Sequence, residues 1–599
     1  MDHRFSVLDY ALFATTLVIS LSIGLFSAFR KRKENTTGEY LMGGRKLQMI
    51  PVSLSILVTY VSAIGILGTP AEIYTYGTQF SLQILAMMFG NFFGAFLFVP
   101  LFYPLKLTSC LEYYTLRYKE NYVKYLNIML LTLISVLVNG IGVFAPSVAL
   151  QGVTGLPSYI SIIACTIVGT IYTTFGGMNA VIWTDVFQCC VILAGLITVL
   201  VKGIISVGGF KRMWEINDQY GRIEFFKSII LTVPFFGFIS TASTLCGMAA
   251  FAYYAFKGCD PLASRLIYDP NQILPLFVME LMGYSGIPGL FVACLFSASL
   301  STLSSGLNSL AAVFWESVVQ PRYPNIEENK AANVNKLIVC FFGIIVLGFA
   351  IGFQYVKGTL IEILFSVIGF ASGPMCASIL SSASFPWVSA KASFISCIVS
   401  LAFVFWMNIG SLIYRFTSEM KPSPIYNCSA ANVIRECMNV PGINLGMLNG
   451  TIYEEALVSS NSYYDLNSTL AYCKEFISKL PKAMPVNKPK GFQHFYAVTY
   501  LYYSAIGIFI SVLVSSTISL IPALRCKHYV KDRYLFVHIR MLRRFINKYR
   551  TGKEYPYGSC DLYDEKGDLI LTDIDDTNKE LLKEKNEVIE LNKDECSSL

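Results

Sequence analysis

Charge is what this 599-residue chain has least of: Asp, Glu, Lys and Arg make up 14% of it, against about a quarter in soluble globular proteins. With 54% hydrophobic residues, a composition this poor in charge reads as a polytopic, all-α membrane protein. Histidine is equally scarce. His3, His494, His528 and His538 are not placed beside a membrane-embedded acid or nucleophile, so hydrolytic or redox chemistry has little to build on and no catalytic set is expected. No C-x-x-C pair or His/Cys cluster suggests a metal, and most of the 16 cysteines sit singly in apolar runs, where they act as small hydrophobes. The N-terminus lacks the pattern of a signal peptide, so residues 7–29 are expected to remain as a first span. The net charge of +7 gathers beside membrane segments, which bears on orientation and gives no reason to expect nucleic-acid binding.

Long apolar runs are what is present. They fall at about 7–29, 48–74, 80–104, 124–150, 156–175, 180–206, 228–256, 285–319, 334–356, 359–384, 392–414 and 494–523, twelve apparent spans. Residues 1–525 form the expected membrane domain and 526–599 a cytoplasmic tail. Arg30, Lys31, Arg32 and Lys33 predict a cytoplasmic end to the first span and an N-terminus outside. The basic run 525–550 predicts a C-terminus inside. Between them the polar loop 417–493 carries the N-x-S/T acceptors Asn427, Asn449 and Asn467 and the cysteines Cys428, Cys437 and Cys473, features of an extracellular, glycosylated loop at the plasma membrane. These signals conflict. An even number of spans separates the basic cluster from the glycan loop, so one crossing is missing or one segment does not cross.

Tyr284–Val319 is apolar enough to span, yet it holds Ser297, Ser299, Ser301, Thr302, Ser304, Ser305, Asn308 and Ser309. At helical spacing Ala298, Ser301, Thr302 and Ser305 share one face. Close helix packing explains such hydroxyls one by one; together they suit a small hard cation. Three spans are interrupted: by Gly65, Gly68 and Pro70; by Gly140, Gly142 and Pro146; and by Gly369, Gly373 and Pro374. Such breaks are either packing kinks or points where freed carbonyls and helix ends surround an ion or substrate. The first break follows Thr59, Tyr60 and Ser62, which makes it the partner for the hydroxyl helix. Asp185, about one turn inside the membrane edge, is either a functional acid or an interfacial residue held by a helix N-terminus. Glu72 reads as a capping or pairing acid.

Several stretches resemble the sodium:solute symporters, in the branch of sodium-dependent multivitamin, sodium-coupled monocarboxylate and sodium/iodide transporters. They are YLMGGRKLQMIPVSLSILVTYVSAIGILGTPAEIYTYGTQF from Tyr40, VFAPSVALQGVTGL from Val143, YTTFGGMNAVIWTDVFQ from Tyr172, GCDPL from Gly258, and PGLFVACLFSASLSTLSSGLNSLAAVFWES from Pro288. The resemblance covers about residues 5–525 and implies a LeuT-like inverted-repeat bundle with sodium as co-transported ion and alternating access. By motif it places a sodium site at Val58, Val61 and Ala298 (carbonyls) with Ser301 and Thr302 (hydroxyls). Asp185 influences that site from behind. A cavity for a small anionic substrate falls at Tyr60, Ser62, Gly65 and Phe144. Phe144 replaces the Tyr of some relatives, and the resemblance supports one sodium site. Cys259, if outside, joins the three loop cysteines as a disulfide candidate. The family has 13 spans. The absent one is the first helix of the second repeat, expected between Phe226 and Lys227. The leading expectation is therefore a symporter importing a vitamin such as biotin or pantothenate, or a monocarboxylate. The alternative is a non-transporting variant that partners or competes with full-length copies. At the far end, residues 536–550 predict a basic amphipathic helix on the anionic inner leaflet. Ser597, Ser598 and Leu599 suit a PDZ-domain groove.

Overall fold

A computed structural model describes residues 5–30, 40–41, 48–223, 238–414, 421–424, 489–526 and 530–551, apart from Val61, Lys106, Thr108, Lys119, Arg265, Tyr268, 283–285, Lys357 and Pro422. Among these residues helices dominate, and a single antiparallel bridge, Val388 with Arg525, is the only strand-like pairing. Asn427, Asn449, Asn467, Cys428, Cys437, Cys473 and Ser597–Leu599 lie outside the described residues, as does Val61.

The first span is α1 (Val7–Arg30). The second is broken into α2 (Met49–Tyr60) and α3 (Ala63–Tyr76), bent by 47° where they meet. The third, Thr78–Leu105, contains α4 (Leu82–Phe93) and a wider five-residue π turn at Gly94–Phe98. After the short α5 (Glu112–Tyr118) come α6 (Tyr122–Thr154) and the 49-residue α7 (Ser158–Ser206). At 1.5 Å per residue α7 would run about 74 Å, more than twice the hydrocarbon core. Its backbone turns at Gly177, where φ is 58° and ψ −162°, a conformation glycine adopts without the clash of a Cβ. The spans expected at 156–175 and 180–206 are thus two helices joined at a glycine kink. The remaining helices are α8 (Phe210–Gln219), α9 (Phe238–Lys257), α10 (Ile273–Met282), α11 (Ile287–Phe314), α12 (Glu328–Gly352), α13 (Leu360–Ser384), α14 (Ala390–Tyr414), α15 (Tyr503–Ile518) and α16 (Val537–Thr551). Among the described residues nine helices, or ten spans with the broken pair, pass a test of length and hydropathy. Counting both halves of α7 and the 20-residue α9, each of the twelve expected spans contains helix.

Two compact units make up the chain. The first comprises Met1–Met88, Leu133–Val367 and Ile409–Tyr500. Its axis is α11, buried along nearly its whole length and packed chiefly on α7 and α1. Small residues permit this: a Cβ on Gly195 of α7 would lie 2.7 Å from Cys294 Cβ of α11, the close approach by which membrane helices gain van der Waals contact. The α9 helix packs mainly on α3, and there a Cβ on Gly247 would stand 2.8 Å from the Pro70 carbonyl oxygen.

One face of this unit gathers the ends of α3, α7 and α9. Thr78 N–H and hydroxyl both donate to the Arg222 carbonyl, each at 2.9 Å. Lys421 N–H donates to Thr75 C=O (3.2 Å) and Asp260 N–H to Pro424 C=O (2.9 Å). The ends of α7 and α9 are therefore on one side, with only α9 crossing between them. Arg222 lies over the Phe251 ring, 3.5 Å from its centroid, and Phe251 is about 20 Å along α9 from Phe238 at helical rise. Of the expected seventh span, 228–256, the described part is the helix α9 from Phe238, and residues 228–237 lie outside the described residues.

The second unit comprises Phe89–Thr132, Ile368–Asn408 and Leu501–Leu599. Arg117 fans over the turn after α13, donating to the carbonyls of Ser382 (3.1 Å), Phe385 (3.4 Å), Pro386 (3.1 Å) and Val388 (3.3 Å). The Phe385 carbonyl also accepts from Val388 N–H at 3.1 Å, and the one guanidinium supplies donors to the last turn of the helix and the turn that follows it.

Candidate cation and substrate site

The broken span determines where polar groups meet. Beyond Tyr60 the helix stops, and Ser62 starts the next one: its side chain accepts from Ile64 N–H at 3.0 Å with extended backbone (φ −73°, ψ 157°), the arrangement of an N-cap. The last carbonyls of α2 are thus left outside a continuous helix, while Ser62 takes the first amides of α3, Ile64 through its side chain and Gly65 (2.9 Å) and Ile66 (3.3 Å) through its carbonyl. A helix C-terminus carries partial negative charge and an N-terminus partial positive charge, so the two ends favour a cation and an anion respectively.

The hydroxyl face of α11 meets the first of these ends. Thr302 Oγ1 lies 3.5 Å from the Thr59 carbonyl and donates to the Ala298 carbonyl at 3.0 Å. Ser305 Oγ pairs with Thr59 Oγ1 at 3.0 Å, and Thr59 in turn donates to Ser55 C=O at 2.8 Å. Ser55 donates to Asp185 Oδ2 at 2.5 Å, and the Ser301 and Ser305 hydroxyls stand beside the same carboxylate. Val58, Ala298, Ser301 and Asp185 are fully buried. Ser301 Oγ and Asp185 Oδ1 are buried and have no hydrogen-bond partner among the described residues. Buried polar atoms are rarely left so, and an unfilled oxygen next to a carboxylate suits a small cation that brings its own charge.

Val58, Ala298, Ser301, Thr302 and Asp185 are thus brought together on α2, α11 and α7. Tyr60 is two-thirds exposed at the end of α2, Ser62 is engaged as a cap, and Phe144 is buried on α6. A Cβ on Gly65 would meet no atom within 4 Å, whereas one on Gly68 would meet Ile361 Cγ1 at 2.6 Å. The two glycines of one break serve different ends: one borders open space and the other allows close packing. Ser299 contacts Cys165 and Ser304 bonds its own helix, as hydroxyls used for packing do.

Three buried polar residues escape the sequence reading. Ser55 precedes Thr59 by one turn on the same face, a signal available in the spacing. Gln188 follows Asp185 by one turn and has both amide atoms buried without a partner among the described residues. Arg222 carries no motif; it is 1% exposed, donates to Tyr74 C=O and to Ser423 Oγ (3.0 Å), and burial lowers its pKa to about 10, leaving it cationic at neutral pH. Glu72 behaves as a pairing acid, accepting from Tyr500 O–H at 3.0 Å and Thr359 Oγ1 at 3.3 Å. Cys259 is disulfide-bonded, in keeping with its place as a disulfide candidate.

The sequence pattern of the sodium:solute symporter family matches residues 40–224 and 220–400. The sodium-dependent multivitamin transporter of Oryctolagus cuniculus is 31% identical over 87% of this chain and 83% of its own. The sodium-coupled monocarboxylate transporter 1 of Homo sapiens is 29% identical over 90% of this chain and 91% of its own. Among solved structures, a sodium-coupled sialic acid symporter in a substrate-bound, outward-open state is similar in fold, with a TM-score of 0.58, 22% identity, and coverage of 70% of this chain and 93% of that one. A LeuT-like helical bundle, sodium as the co-transported ion and the matched pattern agree: this chain belongs to the sodium:solute symporter family.

Proposed function

We propose that the protein couples inward movement of sodium to uptake of a small organic anion, a vitamin of the biotin or pantothenate kind or a monocarboxylate. The observation that carries this reading is the meeting of the broken span with the hydroxyl face of α11, with Thr302 Oγ1 3.5 Å from Thr59 C=O and Ser301 Oγ buried without a partner among the described residues. Sodium takes the carbonyls of Val58 and Ala298 and the oxygens of Ser301 and Thr302, with Val61 as a further carbonyl. A threonine hydroxyl that donates to Ala298 keeps lone pairs for the ion. Asp185 lends negative charge from behind and so strengthens binding of the ion over its water shell. The anion lies toward the N-terminal end of α3, beside Gly65 and bounded by Tyr60, Ser62 and Phe144, where the helix dipole favours negative charge. Sodium bound at one helix end draws the two halves of the span onto α11 and completes the anion site; sodium loss on the side where it is scarce releases both.

The core helix that the family resemblance leads one to expect between Phe226 and Lys227, and that the sequence lacks, favours one other reading, a chain that reaches the surface without transporting and competes with full-length copies. Uptake of labelled biotin, pantothenate, short monocarboxylates and an inorganic anion, with sodium or with choline in its place, separates the two. Sodium-dependent accumulation of at least one organic anion is expected. Confirmed surface abundance with no sodium-dependent uptake, together with reduced uptake by a co-expressed relative, would establish the competitor.

A further inference from the structure

We propose that α16 is an interfacial anchor that lies along the membrane face and binds the headgroups of anionic phospholipids. Its position follows from hydrogen bonds within the second unit. Ser389 Oγ donates to Leu524 C=O (2.5 Å), Cys526 N–H to Trp387 C=O (2.9 Å) and Phe536 N–H to Ala383 C=O (3.2 Å). The chain after the last span therefore runs along the turn joining α13 and α14, so α16 begins at the level where spans end. Tyr113 O–H holds the Tyr534 carbonyl at 2.8 Å, and the Phe536 ring packs edge-on against Phe98.

The first turns of α16 are fixed to that cap. Arg540 Nε donates to Leu535 C=O at 2.7 Å and its Nη2 to Arg533 C=O at 3.0 Å. Arg543 Nη1 reaches Val530 C=O at 3.0 Å and Asp532 Oδ1 at 3.2 Å. The large side chains described as exposed along the helix after Arg540 are apolar. Met541, Phe545 and Tyr549 are 62%, 68% and 88% exposed, and Leu542 and Ile546 are about half exposed. Their four-residue spacing puts them in one stripe. A stripe of this kind at a membrane boundary loses free energy in water and gains it in the acyl boundary.

Charge selects the leaflet chemistry. The helix sequence VHIRMLRRFINKYRT holds five Lys and Arg residues and no acidic one. Arg540 and Arg543 are held by the cap, and the helix carries Arg544, Lys548 and Arg550 besides them, a charge that favours an anionic leaflet. This role is separate from transport and stands or falls independently of it.

The test is amide hydrogen exchange of residues 537–551 in the purified full-length protein, in nanodiscs of phosphatidylcholine alone and of phosphatidylcholine with phosphatidylserine. We expect exchange about ten-fold slower in the discs containing phosphatidylserine, and loss of that difference in Phe545→Ser/Ile546→Ser. A chain ending at Thr551 should keep it. Equal exchange in the two discs would overturn the proposal, as would protection that survives the double substitution. Protection that disappears on removing residues 552–599 would show that the acidic tail covers the helix, and would overturn it too.

Discussion

At the scale of single residues the site turns on an oxygen without a partner. Ser301 Oγ has no partner among the described residues, so Ser301→Ala removes no hydrogen bond seen there and should change folding stability by less than about 0.5 kcal/mol. The same change removes a ligand of a cation, worth about 1.5 kcal/mol or more, so half-activation by sodium should move up about ten-fold while surface abundance holds. Sodium-activation curves with surface biotinylation check both halves, and an unchanged curve would remove Ser301 from the site. Asp185→Asn keeps an acceptor for Ser55 and removes the charge; in the same assay it should weaken sodium activation about as much, with maximal uptake less affected. Both residues could be found from sequence, because an embedded acid and a run of hydroxyls are costly in hydrocarbon wherever they fall. Gln188 and Arg222 could not be singled out, since a glutamine next to a polar turn and an arginine after a short amphipathic helix are ordinary until something buries them.

At the scale of elements the broken span carries the function and its glycines divide the work. Gly68 faces Ile361 so closely that an added Cβ must displace α13. Gly68→Ala should therefore destabilise the bundle by about 1–3 kcal/mol, seen as lower surface abundance and a lower melting temperature in detergent. Gly65 borders open space, so Gly65→Ala should leave abundance intact and reduce uptake by narrowing the substrate side. Equal effects at the two positions would contradict this division. The sequence shows both glycines as breakers of one helix; which of them touches a neighbour depends on α13, almost three hundred residues further along. At Gly177 the sequence separates the spans 156–175 and 180–206, and the structure shows that they are joined directly through one glycine with φ 58°.

At the scale of the whole molecule the question is on which side each end of the chain lies, because the basic clusters and the glycan acceptors of the sequence imply conflicting numbers of crossings. Arg222, Asp260 and Lys421 tie the ends of α3, α7 and α9 and the start of the long loop to one face. A family orientation then requires Asn449 outside and the C-terminus inside. Endoglycosidase treatment of an Asn449→Gln variant series, combined with antibody access to a C-terminal tag in intact and permeabilised cells, checks this. Loss of one glycan shift with Asn449→Gln and tag access only after permeabilisation are expected. A tag exposed on intact cells would contradict a cytoplasmic C-terminus.

Composition, span positions and the hydroxyl-and-acid pattern were determined by the sequence alone, because the bilayer penalises polar groups and short helices at every position regardless of their neighbours. Tertiary structure decided what depends on partners far along the chain: which serine keeps an empty oxygen and which glycine meets a wall. It also decided which arginine staples a helix end. These follow from packing, and packing is settled by three-dimensional neighbours that no local pattern encodes.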